Sequence, residues 1–360
     1  MTVQTAPQQT PPGGSSGRPA LAHGVLPRWA PWAVLAAAAA VAAAVSVTAG
    51  LNAALFAVGT AVLTGAGLYA WSSSVEGGRR AKDRLVTVVV SSAFLVALVP
   101  LVSVLWTVLT FGLQRFDLEF FTYSMRGIVG EGGGVYHAIL GTLIITGLAT
   151  LMSVPVGLLA AVYLVEYGKG RLARAITFFV DVMTGIPSIV AGLFAFALFA
   201  LFFGPGVRMG IVGAVALSVL MIPVVVRSTE EMLKLVPNEL REASLALGVP
   251  KWRTIVKVVI PTSIAGIATG VTLAIARVIG ETAPLLITVG ITTGTNLNPF
   301  DGRMASLPVF AYYSYVTPGV PRDPYLDRAW AAALVLIVIV MVLNLLARLI
   351  SRLFAPKTGR

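Results

Sequence analysis

The apolar runs of this chain constrain its fold more than any other feature. Eight runs are long enough to cross a bilayer, which takes about 20 residues; they lie near residues 30–49, 51–71, 85–111, 138–165, 175–203, 210–227, 262–290 and 329–350. Apolar residues make up 57% of the 360 residues and charged residues only 11%, more apolar surface than a soluble protein could bury. Backbone polar groups inside lipid have to pair within the chain, which favours helices. We therefore expect an all-α integral membrane protein with about eight transmembrane helices.

The positive charges are distributed unevenly among the segments between these runs. If the amino terminus is cytosolic, an even number of spans places both termini in the cytosol. All six lysines then lie inside, in segments 79–84, 169–174 and 227–261 and in the carboxy-terminal tail, as the positive-inside rule requires. The net charge of +11 thus indicates topology and contact with anionic membrane lipid, not nucleic acid. We expect a multi-pass protein of the cytoplasmic membrane whose largest external segments are 112–137 and 291–328.

The first 28 residues differ in composition from the rest of the chain. They are rich in Pro, Gly, Ser, Gln and Thr and have no periodic apolar pattern, which predicts a disordered cytosolic tail. A cleaved signal peptide within residues 1–50 is the alternative. Only Arg18 and Arg28 precede the first apolar run, and a second run follows at once, so an uncleaved anchor is favoured.

The chain lacks the residue patterns of an enzyme. It has no cysteine, and its two histidines, His23 and His137, are far apart, so we expect no metal site and no cofactor. It also lacks the Gly-x-x-x-x-Gly-Lys-Ser/Thr loop that holds nucleotide phosphates, and no nucleophile is accompanied by a base. If the protein is driven by ATP, a separate chain has to hydrolyse it.

One polar, basic stretch interrupts the apolar runs at residues 229–261. Pro237 blocks backward extension of a helix, and Asn238 is expected to cap its first turn. Leu240, Ala243 and Leu247 follow at a spacing that forms a narrow apolar stripe. Gly248 is expected to end this helix in the left-handed conformation. An ordinary cytosolic loop that obeys the charge bias is the simplest interpretation of such a composition.

The motif within this stretch indicates a more specific role. The stretch contains Glu242-Ala243-Ser244, then three residues, Gly248, nine residues and Val258-Val259-Ile260-Pro261. With mild substitutions, this pattern resembles the EAA loop of ABC-importer permeases. In that family the short helix inserts into a groove on a cytosolic ATPase and transmits its motion to the membrane part. The resemblance implies that Glu242, Ala243, Leu247 and Gly248 form the ATPase-coupling element.

Three charged residues fall inside the later apolar runs: Asp181, Arg277 and Glu281. Each costs on the order of 2.5–3.5 kcal/mol at the bilayer centre. Arg277 and Glu281 are four residues apart, so on one helix they share a face and can pair. The pair either braces the bundle or lines a polar route for an anion, which has to be bound firmly enough to enter and weakly enough to leave. We interpret Asp181 as a partner in helix packing or at an interface; a group that contacts substrate is the alternative.

Several further motifs resemble the permeases of the phosphate-specific ABC importer, the PstA type more closely than its partner PstC. They are Gly141-Thr142-Leu143, Pro155-Val156-Gly157, Tyr163 to Tyr167, Gly185-Ile186-Pro187-Ser188 to Leu193, Ala276 to Leu286, and Ser306-Leu307-Pro308-Val309. The resemblance covers about 85–350. It implies a type I importer permease core of six helices, preceded by two extra amino-terminal spans that have no counterpart in the pattern.

This resemblance implies both a domain division and a set of partners. The expected parts are a cytosolic tail (1–28), two extra spans with a basic loop (29–84), the permease core (85–352, with a coupling loop at 228–262) and a cytosolic tail (353–360). The implied partners are a PstC-like permease subunit, a cytosolic ATPase dimer and an external phosphate-binding protein. Arg277 and Glu281 would be the charged pair of the translocation pathway for inorganic phosphate.

Two other functions remain open from the residues. A permease for sulfate or molybdate would keep the coupling loop but is not expected to carry the Gly280 to Leu286 run. A secondary anion transporter or channel would use Arg277 and Glu281 alone and would have no need of a docking helix.

Overall fold

The computed structural model describes residues 24–50 and 52–354, with side chains up to Leu349. Most of the predicted tails, residues 1–23 and 355–360, lie outside the described residues. Every regular element in the described part is a helix, which confirms the all-α fold class. In chain order the helices are α1 Ala30–Ala49, α2 Ala53–Val75, α3 Gly78–Gly112, α4 Leu118–Thr122, α5 Tyr136–Val162, α6 Arg171–Gly185, α7 Ser188–Phe203, α8 Gly210–Lys234, α9 Asn238–Ala246, α10 Lys251–Thr254, α11 Ile260–Val278, α12 Ala283–Thr288, α13 Leu307–Val316 and α14 Asp323–Phe354.

Seven of the described helices are long and apolar enough to cross a membrane, or eight spans if the bent pair α6–α7 is counted as one. The apolar run predicted to be one span at 175–203 consists of two helices, α6 and α7, that meet at an angle of 110°. Ile186 and Pro187 separate them, and a proline both lacks an N–H and disfavours a helical residue before it. The predicted span at 262–290 is also too long. Its helix ends at Val278 and α12 begins only at Ala283.

The chain forms two compact units that divide between Val104 and Leu105, inside α3. The boundary predicted between residues 84 and 85 stays a prediction. In the first unit the side chain of Asn52 caps α2 by accepting from the Leu55 N–H at 3.0 Å. The buried Glu76 carboxylate accepts from both the Leu26 N–H and the Arg84 guanidinium, which ties the segment before α1 to the start of α3.

Helix α8 forms the centre of the second unit. In the apolar 18-residue part of α8, 67% of the residues are buried, compared with 22% in the corresponding part of the span Tyr136–Tyr167, which contains α5. Leu217, Met221 and Val225 of α8 belong to its main apolar core. Glycines let the neighbouring helices approach closely: a Cβ on Gly157 of α5 would lie 2.7 Å from Val225, and one on Gly270 of α11 would lie 2.5 Å from Ser228. Small residues at such contacts are typical of helix packing in membranes.

Candidate functional site

The predicted coupling helix is present as α9, and its end is formed as expected. Gly248 has φ +75°, its N–H donates to the Leu245 carbonyl at 2.9 Å, and the Val249 N–H donates to the Ser244 carbonyl at 3.3 Å. These are the two hydrogen bonds of a Schellman cap. The expectation for Asn238 is wrong, because its side chain caps no backbone N–H and instead accepts from the Arg241 guanidinium at 3.3 Å.

The coupling helix is fixed to the membrane part by Arg241. Its guanidinium pairs with Glu166 at 2.9 Å and also donates to the carbonyls of Val236 and Leu233, at 2.5 and 2.8 Å. Glu166 is almost fully buried and lies in the π-helical turn Tyr163–Tyr167 that follows α5. A buried ion pair satisfied in this way fixes geometry.

Two further contacts hold the segment after α9. The Ser244 and Thr254 hydroxyls share a buried hydrogen bond at 2.9 Å. The Lys251 ammonium donates to the Glu166 carbonyl and lies 4.7 Å from the centre of the Tyr167 ring. Both ends of the Gly248 turn are therefore attached, α9 to α10 and α10 to the end of α5.

The four residues predicted to couple to an ATPase lie on the open side of this segment. Glu242, Ala243 and Gly248 are exposed, and Leu247 is 84% exposed. Ser244, by contrast, faces inward. An exposed leucine beside small residues and a carboxylate forms a surface on which another protein can pack closely.

The charged residues near the end of α11 are arranged differently from the prediction. Arg277 lies in the last turn of α11, whereas Glu281 lies in the break before α12. They therefore do not share a helix face. Arg277 is exposed and Glu281 is partly exposed, and within residues 24–50 and 52–349 neither side chain forms a hydrogen bond or an ion pair.

Two of the motifs singled out in the sequence meet at this break. Helix α12, which begins within the Gly280 to Leu286 run, packs against α7. A Cβ on Gly192 of α7 would lie 2.7 Å from the Cα of Pro284, so only a glycine permits this contact. The two interrupted helices, α6–α7 and α11–α12, are thus adjacent. Breaks in membrane helices are tolerated where protein or a polar cavity satisfies the backbone.

The remaining charged residue of the later spans has a partner on another helix. Asp181 of α6 forms an ion pair with Arg227 of α8, which also pairs with Glu230 at 2.9 Å. This agrees with the interpretation of Asp181 as a packing residue. A second pair of motifs also meets: the Leu307 N–H donates to the Thr142 hydroxyl at 2.8 Å.

Sequence reasoning missed Arg241 and Glu166 as an anchor. Arg241 is recognisable in the sequence only as a charge beside the apolar stripe, and Glu166 only as part of a motif. They are 75 residues apart, and nothing in one sequence links such positions. The available signal was a lone carboxylate at the cytosolic end of a predicted span, which needs a cation nearby.

Comparison with known proteins identifies the family of this chain. Residues 153–360 match the family described as binding-protein-dependent transport system inner membrane component. Phosphate transport system permease protein PstA 1 of Mycobacterium tuberculosis is 50% identical over 275 residues, 76% of this chain and 89% of that protein. PstA of Pasteurella multocida is 39% identical over 274 residues, 75% of this chain and 95% of that protein. A solved structure of the MetNI methionine ABC transporter gives a TM-score of 0.48 at 20% identity, over 62% of this chain and 94% of that one.

Proposed function

The chain belongs to the family of binding-protein-dependent transport permeases, and we propose that it is the membrane subunit of an ABC importer that carries inorganic phosphate into the cytoplasm. The single observation that carries this proposal is the coupling segment. Its inner side is fixed by the Arg241–Glu166 pair, while Glu242, Ala243, Leu247 and Gly248 are exposed. A rigid attachment behind an open docking face suits an element that transmits force from a partner.

The substrate class is supported by the names of the relatives, which are phosphate transport permeases with up to 50% identity to this chain. Arg277 and Glu281 support a polar translocation route. An exposed arginine on a membrane-spanning helix, as Arg277 is, is costly against lipid, so the open side of α11 suits a pore wall or a partner permease. In this proposal Arg277 attracts the anion, and Glu281 keeps it from binding too tightly.

The proposed assembly contains this chain, a PstC-like permease, two cytosolic ATPase subunits and an external phosphate-binding protein. Both termini lie in the cytosol, which puts α9 on the ATPase side and the segments 112–137 and 291–328 outside. Residues 85–352 form the permease core in this proposal. Hydrolysis of ATP takes place on the partner ATPases.

The test is ATP hydrolysis by the reconstituted complex with binding protein preloaded with phosphate, sulfate or molybdate. We expect stimulation by the phosphate-loaded protein alone. Stimulation by another oxyanion would keep the importer and replace its substrate. If no ATPase associates with the chain, a secondary anion transporter becomes the better explanation.

Coupling is tested separately with Glu242→Lys and Gly248→Arg. Both variants should insert in the membrane but no longer co-purify with the ATPase. Thr122→Val, in an external segment, serves as the matched control. An unchanged yield of ATPase from both coupling variants would disprove the docking assignment.

A further inference from the structure

A small cavity lies among residues that all belong to the two segments predicted to be external, 112–137 and 291–328. Its volume is about 170 Å³, room for several waters. This is below the size of common organic-ligand pockets. Most of its lining is apolar, as at Phe310, and its polar lining residues include His137, Thr292, Thr293, Tyr325 and Arg328. Two nitrogen-bearing side chains and several hydroxyl-bearing residues therefore border a space large enough for a small ion.

Arg328 is the most unusual residue of this cavity. It is 1% exposed, and its Nη1 donates to the carbonyls of Gly130 and Gly132, at 2.6 and 2.9 Å. One face of the guanidinium lies 4.5 Å from the Tyr325 ring centre. Its Nε and Nη2 groups are buried with no hydrogen-bond partner. These two groups lie on one edge of the guanidinium, the edge that binds two oxygens of a carboxylate or phosphate side by side.

The charge of Arg328 is not compensated by an ion pair within the part of the chain that the structure describes. An arginine cannot give up its proton, and a buried unpaired charge is costly. Carboxylates line a neighbouring cavity that Arg328 also borders, namely those of Glu119, Glu131, Asp323 and Asp327, together with Arg115. Arg115 pairs with Glu119 and Asp117. Within the described residues none of these carboxylates forms an ion pair with Arg328.

His137 is the second unsatisfied group. It is 2% exposed, lines the same cavity, and has a hydrogen-bond partner on neither Nδ1 nor Nε2. Its ring packs edge-on against Phe310, with 5.7 Å between the ring centres. Buried polar groups are normally paired, so two exceptions in one cavity require an explanation. A neutral imidazole can donate one hydrogen bond to an anion in the cavity.

We propose that Arg328, His137 and the hydroxyls of Thr292 and Thr293 form a binding site for a small oxyanion on the external side of the permease. The site rests on the proposed function, in which inorganic phosphate enters from that side. The bidentate edge of the Arg328 guanidinium favours a multi-oxygen anion over a halide. Phosphate would occupy this site before it reaches Arg277.

The histidine content of the chain allows a direct test. His23 and His137 are its only histidines, so a His23→Gln variant leaves His137 as the sole reporter. Labelled histidine is incorporated into this chain only, which is reconstituted with unlabelled partners and observed by solid-state NMR. We expect inorganic phosphate to shift the ring nitrogens saturably and sodium chloride at equal ionic strength to leave them unchanged. Absence of a phosphate shift, or an equal shift with chloride, would overturn the proposal.

Two sets of variants assign the shift to the cavity. Arg328→Gln should weaken phosphate binding roughly tenfold or more, since it removes a charged donor. The control Arg322→Gln removes the same charge from an exposed position and should bind as the wild type does. Because Arg328 also holds Gly130 and Gly132, a second variant, Thr292→Val with Thr293→Val, leaves that anchor intact and should weaken binding severalfold. Unchanged phosphate affinity in a folded Arg328→Gln complex would reduce Arg328 to an anchor and overturn the site.

The same preparation separates failure of the site from failure of the proposed function. If phosphate-loaded binding protein stimulates ATP hydrolysis but His137 does not respond to phosphate, the site is wrong and the importer function remains. If no ATPase stimulation occurs with phosphate, the proposed function fails, whatever His137 does.

Discussion

The segment from α9 to α12 carries charged residues at both ends, and these residues differ in burial and in pairing. At the coupling end, Arg241 is largely buried, is paired with Glu166 and donates to two carbonyls. At the other end, Arg277 is exposed, Glu281 is partly exposed, and neither forms a hydrogen bond or ion pair within the described residues. A satisfied buried pair fixes geometry, whereas an unsatisfied charge in a membrane span indicates function. The difference distinguishes charges that are paired within the described chain from charges that the proposed function assigns to the translocation pathway.

The largest expected effect comes from breaking the satisfied pair. Arg241→Met leaves the Glu166 carboxylate buried and unpaired, which should lower the free energy of unfolding by about 3 kcal/mol. ATPase association should fall with it. Thermal unfolding of the purified complex measures the first and co-purification the second. The matched control is Arg253→Met, which removes an exposed arginine of the same segment and should change stability by less than about 0.5 kcal/mol.

The second prediction concerns the unsatisfied end. Arg277→Gln should leave thermal stability close to that of the wild type, because the side chain has no partner to lose within the described part of the chain. Phosphate uptake by reconstituted vesicles should fall roughly tenfold or more, since a charge that interacts with an ion contributes at least ~1.4 kcal/mol. If Arg277→Gln lowers stability as much as Arg241→Met and leaves uptake intact, the two ends do not differ in the way described.

A smaller effect is expected at the turn that presents the docking face. Gly248 has φ +75°, and a Cβ in that conformation costs about 1 kcal/mol. Gly248→Ala should therefore lower stability by about that amount and weaken ATPase association. Gly147→Ala is the matched control, because Gly147 is helical and exposed and a Cβ added there would meet no other atom within 4 Å, so this variant should be neutral or slightly stabilising. Equal losses of stability in both variants would show that the left-handed conformation of Gly248 is not the cause.

The smallest effect extends the comparison to the first unit, where Glu76 and Arg84 form a second satisfied pair. Hydrogen bonds from Arg84, Ser72 and the Leu26 N–H lower the pKa of Glu76 from 4.5 to about 2, against the opposing effect of burial. A lowered carboxyl pKa contributes stability above pH 4.5 that is lost as the pH falls towards 2. Most of this loss of stability falls below about pH 4, so only a small part of it is seen above that pH.

The measurement for this pair is the thermal midpoint as a function of pH. Wild-type protein should lose stability below about pH 4.5 more steeply than Glu76→Gln, whose side chain does not titrate. Asp83→Asn removes a carboxylate from α3, the helix that carries Arg84, and should retain the wild-type slope. An identical slope for wild type and Glu76→Gln would mean that the pair does not contribute to stability.

Much of the architecture could be predicted from local composition. The lengths of the apolar runs predicted the membrane spans, and the Pro237 to Pro250 pattern predicted a short helix closed by Gly248, as the structure confirms. The breaks were harder to predict. The Gly185-Ile186-Pro187-Ser188 motif lies at the first break, but the 110° turn between α6 and α7 depends on how both helices pack. The end of α11 at Val278 has no proline directly after it.

The sequence by itself therefore determined that this protein lies in the membrane, is helical and carries a coupling motif, because each of these follows from residues close together in the chain. Only the tertiary structure decided which charges are paired. Arg241 finds Glu166 from 75 residues away, and Arg328 reaches the carbonyls of Gly130 and Gly132 from 198 and 196 residues away. The physical reason is that pairing depends on distance in space, which the packing of helices sets and spacing along the chain does not.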